Sequence, residues 1–196
     1  MPDTNRFARA IAAIDAANAG DPNTIVVDGV ERPKEQAHAE LMTEWVERLD
    51  PDADEAQLLA ARAHHLRRWS VPRSSYPEGR AGYLRWRTAL KRQHAEEVAA
   101  ILTDAGYEGA VVDRVGDIVA KRRLGTDPAV QTHEDALCLV FLRTQFDDLA
   151  DQLGDDHTVE VLRKTLDKMS ELGRRTALDQ PLSPHGRALL ERALQR

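Results

Sequence analysis

The segment NRFARAIAAIDAAN, Asn5 to Asn18, places Phe7, Ile11, Ile14 and Ala17 three or four residues apart. That spacing gathers side chains onto one face of an α-helix. The helix stops at Ala19-Gly-Asp-Pro22. Thr24 to Val30 (TIVVDGV), the one short β-branched run, reads as an ordered loop with room for a short strand. The helical period returns from about Pro33 to Leu49 through Leu41, Met42, Trp45, Val46 and Leu49, with Pro33 suited to a first turn. Asp52 to Glu55 resembles an N-cap followed by a carboxylate three residues on, and it leads into an Ala- and Leu-rich run through about Trp69. Ser70 to Gly82 holds too many prolines, glycines and serines for regular structure and reads as a loop set. Helical windows then follow at about Tyr83 to Asp104, Gly109 to Arg123, Pro128 to Leu153, Asp155 to Met169 and, after a Ser183-Pro184 cap, Gly186 to Leu194. No alternating strand pattern of useful length occurs. The expected fold is all-α, a single-domain bundle of about seven to nine helices.

The chain has 196 residues, 42% hydrophobic and 31% charged, enough to bury a core and too apolar for an unfolded chain. No stretch approaches the roughly 18 apolar residues of a membrane helix, and the first residues lack the apolar centre of a signal peptide. A cytoplasmic protein with no membrane partner is expected. The lone cysteine, Cys138, excludes an internal disulfide framework and a cysteine-rich zinc module, so a metal would rest on histidine and carboxylate. Apolar neighbours and no nearby cation mark Cys138 as an inert core thiol. A net charge of -6 argues against general nucleic-acid binding.

Charge is nevertheless uneven. Between Arg62 and Arg92 stand eight arginines and Lys91 against the single acid Glu78, so the window carries +8. A solvated helix surface is the bland reading. Arginine's planar fork, however, grips phosphate or carboxylate through two parallel hydrogen bonds, and these arginines flank a loop rich in Ser, Tyr and Pro. An anionic small-molecule ligand is the expected partner. Histidines cluster too: His38, His64-His65, His94 and His133 beside Glu134-Asp135 all fall in helical windows. Neutral imidazole and carboxylate suit iron, manganese or zinc, and side chains from facing helices can converge inside a bundle. On a helix His64 and His65 would point about 100° apart, so both are not expected on one ion. Trp45, Trp69 and Trp86 read first as core.

The order His38, His64-His65, Glu134-Asp135 resembles the pattern of HD-domain metal-dependent phosphohydrolases, in which a His, a His-Asp pair and a distant Asp bind one or two metals and a further His occurs in several members. His94 would take that further position. The chain departs where His65 stands in place of the pair's Asp, which puts a two-metal centre in doubt.

A broader resemblance rests on Phe7 to Asn18, Met42-Thr-Glu-Trp45, His65-Leu-Arg-Arg-Trp69, Pro72-Arg-Ser-Ser-Tyr-Pro77, Arg80-Ala-Gly-Tyr-Leu-Arg-Trp-Arg87, His94 and Glu134-Asp135. These stretches are similar to the DUF4202 family, whose name assigns no function. The resemblance implies His65, His94, Glu134 and Asp135 as the polar core of a site, with Arg68, Arg73, Tyr76, Arg80, Tyr83 and Arg87 around it.

The expected function is a metal-dependent hydrolase of a phosphorylated small molecule. His65, His94, Asp135 and His38 would be its divalent-metal ligands, with His64 or Glu134 as acid-base or supporting group, and the arginines would hold phosphate oxygens. Two alternatives use the same residues: an iron-dependent oxygenase, and a metal-free protein that binds an anionic metabolite or partner.

Overall fold

The computed structural model describes residues 4–195. Ten α-helices dominate: α1 Thr4–Asn18, α2 Lys34–Leu49, α3 Glu55–Arg62, α4 Gly79–Asp104, α5 Gly109–Val119, α6 Pro128–Thr144, α7 Phe146–Leu153, α8 Asp155–Leu166, α9 Glu171–Leu178 and α10 Pro184–Leu194. The fold is all-α, as the periodicity requires. The β-branched run is more ordered than a loop. It forms a small antiparallel hairpin, β1 Thr24–Val27 and β2 Val30–Pro33, joined by Asp28-Gly29 with φ of 51° and 80°. An Asp-Gly pair with both φ values positive is the turn that matches strand twist.

Two further differences bring the helices to ten. The window from Pro128 to Leu153 is broken at Gln145 (φ -137°), which turns Phe146 into the core at 1% exposure. An additional helix, α9, starts at Ser170, whose side chain accepts from Gly173 N. The third helix is shorter than its sequence pattern. It ends at Arg62, and His65 and Arg67 adopt left-handed backbone with φ of 58° and 49°. His64 and His65 therefore sit on a turn, and the helical argument that separated them does not apply.

Side chains gather in three apolar clusters, and α6 enters all of them. Val130 joins Ile14, Leu59, Leu102 and Ile118 of α1, α3, α4 and α5. Ala136 and Val140 pack on Leu41, Met42 and Val46 of α2. Leu139 and Leu142 meet Phe146, Leu162 and Leu190 of the C-terminal helices. A helix surrounded on most sides has no fully solvated face, so its polar residues must find internal partners. His133, Glu134 and Asp135, exposed by only 1%, 4% and 3%, are in that position. No described helix is long and apolar enough to cross a membrane.

Candidate metal centre and adjoining cleft

The polar core is assembled from four places. The first turn of α2 carries Glu35 and, one turn on, His38. The turn after α3 supplies His64 and His65, the middle of α4 supplies His94, and α6 supplies His133 and Glu134. Asp21 anchors the start of α2, its Oδ2 accepting from Glu35 N at 2.9 Å. Glu35 Oε2 lies 3.5 Å from both His38 Nδ1 and His65 Nδ1. One donor atom from each of Glu35, His38 and His65 falls within 4.8 Å of the others. Two ligands of one zinc-sized ion stand at most about 4.2 Å apart, so small side-chain adjustments bring all three onto one ion.

The remaining histidines surround this set. The His64 ring lies 3.9 Å from that of His65, and His94 lies 5.8 Å from His65, measured between centroids. His64 Nδ1 and His133 Nε2 share a hydrogen bond of 3.0 Å. His64 Nε2, His133 Nδ1 and His94 Nε2 are buried without a hydrogen-bond partner in the protein. Buried polar atoms without partners are rare in a folded protein, so three in one cluster call for a water or a bound ligand.

Burial sets the protonation states. It pushes His65 down to about 4, with Glu35 pulling the opposite way, and His94 and His133 down to about 3. His64 is lowered well below the ordinary imidazole value, first by burial and then by the neighbouring His65 and His133. Burial alone would raise Glu35, but the facing imidazoles hold it well below the usual carboxylate range. Neutral imidazoles around a carboxylate are the forms that bind metal.

Titration follows with a definite sign. Unfolded histidine takes up a proton near pH 6.5, whereas these four remain neutral until much lower pH in the folded state. Below about pH 6.5 the unfolded chain binds more protons, so their contribution is fully present above that pH and is lost as pH falls. Glu35 acts in the same direction below about pH 4. The metal-free protein is expected to lose several kcal/mol of unfolding free energy between pH 7.5 and pH 5, on the order of 1.4 kcal/mol per pH unit for each histidine. Urea unfolding across that range checks this, and a flat profile would contradict the buried neutral cluster.

Other expected site residues are placed differently. Asp135 does not join the histidines. Its Oδ1 accepts from Ser170 N at 2.9 Å and Gln131 Nε2 at 3.0 Å, and its Oδ2 accepts from Ser170 Oγ at 2.5 Å. A Cβ at Gly173 would sit 2.6 Å from Asp135 Cγ, so α9 closes directly on this carboxylate. In this structure Asp135 anchors the α9 N-terminus. Glu134 forms a buried ion pair with Lys121 from the turn after α5, where Lys121 itself has φ of 56°. Burial lowers the Lys121 ammonium pKa, opposed by Glu134.

A cleft of about 290 Å³ opens beside the cluster, with His65, Lys121 and Glu134 in its lining. Arg68, Tyr83 and Arg87 line it as well. Arg68 Nη1 stands 3.1 Å from His65 Nε2, and the guanidinium stacks 4.8 Å from the Trp86 ring. Arg73, Tyr76 and Arg80 do not line it. Arg73 Nη1 donates to Tyr76 O at 2.9 Å and so folds its own loop, and Arg80 is exposed at the start of α4. Cys138 reaches the cleft wall, and burial pushes its thiol up to about 12, which fits an inert thiol.

The sequence profile of a family described as a domain of unknown function, DUF4202, matches residues 8–190. The chain belongs to the DUF4202 family. No curated protein and no solved structure matches it. The DUF4202 match encloses the whole cluster and cleft, from Asp21 to Lys168.

Sequence reasoning missed Glu35, Lys121 and Lys168 in this DUF4202 chain. For Glu35 the usable signal was Glu35-Gln-Ala-His38, a carboxylate and an imidazole one helical turn apart. Lys121 gave none, since Lys121-Arg-Arg123 looks like an ordinary solvated run.

Proposed function

We propose that this DUF4202 protein is a metal-dependent hydrolase of a phosphorylated small molecule. The observation that carries the reading is the convergence of Glu35, His38 and His65 beside a cleft lined by Arg68, Arg87, Lys121 and Lys168. Two imidazoles and one carboxylate are a catalytic donor set that leaves positions open for water and substrate. A divalent ion held there supplies Lewis acidity and lowers the pKa of a coordinated water. The protein's own groups do the rest. Arg68, held by Trp86 and His65, is oriented to take phosphate oxygens. The buried, neutral His64 and His133 pair packs beside His65 and supports its ring. Hydrolysis forms one P–O bond from water and breaks the ester P–O bond, and the water's proton leaves on the alcohol. The HD-domain likeness supports this reading only through the order of His38, His64-His65 and Glu134-Asp135.

Two histidines and one carboxylate are also the facial set of non-haem iron oxygenases, so oxygen chemistry is the second reading. Elemental analysis of untagged protein, joined to phosphate release from phosphomonoesters, tests both. The expected result is near-stoichiometric metal and metal-dependent phosphate release. Arg68→Gln should keep the metal and lower kcat/KM by about 10- to 100-fold. Bound iron with oxygen uptake and no phosphate release would favour the second reading. Protein that takes up no metal on reconstitution would overturn both.

A further inference from the structure

The cleft is graded along its length. Its α6 edge is a single stripe, Glu134, Leu137, Cys138, Phe141 and Gln145, spaced as residues on one helix face. At 1.5 Å per residue the stripe spans about 16 Å. The end of α8 meets the α6 edge here, because Gln131 Nε2 of α6 donates to Lys168 O at 2.9 Å just beyond α8. Lys168 therefore stands at the Glu134 end, with Thr165 and then Val161 further along. Charge gathers at this end, where Lys121 pairs with Glu134, Arg68 lies against His65 and Lys168 adds a further cation to the lining. Beyond it come Leu137, Phe141 and Val161, and the stripe closes on the amide of Gln145.

That middle stretch offers Thr165 as its one strong hydrogen-bonding side chain, so a body rich in hydroxyls would lose water there without replacement partners. At about 290 Å³ the space is also at the small end for ligand pockets. Resting on the hydrolase reading of the same site, we infer that the substrate is a compact amphiphile, an alkyl or aryl phosphomonoester. Its phosphate sits among Arg68, Lys121 and Lys168, and its hydrocarbon body lies on Leu137, Phe141 and Val161. Sugar and polyol phosphates are disfavoured.

The metal-loaded full chain is assayed on benzyl phosphate and glycerol 3-phosphate. Both are esters of alcohols, so the apolar body is the main difference between them. The expected kcat/KM ratio favours benzyl phosphate by about 30-fold or more. It should fall by about 10-fold in Phe141→Ala and by about 5-fold in the near-isosteric Val161→Thr, which guards against a folding defect in the larger truncation. A ratio near one, or a ratio that neither variant moves, overturns the inference. If neither ester is hydrolysed, calorimetric binding of benzylphosphonate and methylphosphonate decides separately. A benzylphosphonate preference of about 10-fold that Phe141→Ala removes keeps the ligand class and retires the hydrolase. Equal or undetectable binding of the two retires the ligand class.

Discussion

Alanine in place of His65, or glutamine in place of Glu35, is expected to weaken divalent-ion binding by more than about 100-fold, beyond the effect of losing a supporting residue around a metal. Each substitution removes one of the three donors that converge among the described residues. Asp135→Asn separates this account from one based on the order of residues along the chain, in which Asp135 is a ligand. Asp135 spends its oxygens on Ser170 N, Ser170 Oγ and Gln131 Nε2. Its replacement should leave ion affinity within about threefold and cost about 1–3 kcal/mol of stability, the penalty for an imperfectly satisfied buried cap. Titration calorimetry with Mn(II) and urea unfolding on the three variants measure both quantities. An Asp135→Asn protein that folds normally and no longer binds metal would reverse the assignment.

The second large effect concerns Lys121. Its ammonium and the Glu134 carboxylate are 11% and 5% exposed and answer one another at the cleft floor. Lys121→Met keeps the volume and leaves a buried carboxylate alone, which should cost about 3–5 kcal/mol. For a chain of this length that corresponds to a fall in Tm of roughly 6–20 °C. Adding Glu134→Gln should recover much of the loss, because the isolated charge and not the missing contact dominates. A single Lys121→Met variant within about 1 kcal/mol of the parent would mean that the pair is not buried in solution.

The helices were legible because their apolar residues recur at three and four, and the all-α class follows from that alone. Their ends were less so. Ala63-His-His-Leu66 contains no glycine or proline, and Ala63 and Leu66 are fully buried in step with Leu59, so the pattern continues where the helix does not. Tertiary partners end it: Arg67 N donates to Asn18 Oδ1 at 3.0 Å, and His65 turns toward Glu35. In the site, histidines were legible because there are only seven. Glu35 was hidden among 33 acidic residues, its one sequence signal being His38 a helical turn later, and only the fold brings it to His65. Asp135 stands next to Glu134 in the sequence, but adjacency along a helix says nothing about direction. Glu134 meets Lys121 while Asp135 caps α9, two partners about 100° apart around the helix.

The turn after α3 also predicts how the protein would change under selection for heat resistance alone. Left-handed backbone suits glycine, and a larger residue there costs about 1 kcal/mol. At Arg67, whose side chain is exposed, a lineage kept only for its melting point should drift to glycine. The same drift at His65 would deliver comparable relief and erase a proposed metal ligand. Sequence drift at these two positions, two residues apart and under the same backbone pressure, would therefore show whether a population was being kept for what it does or merely for staying folded.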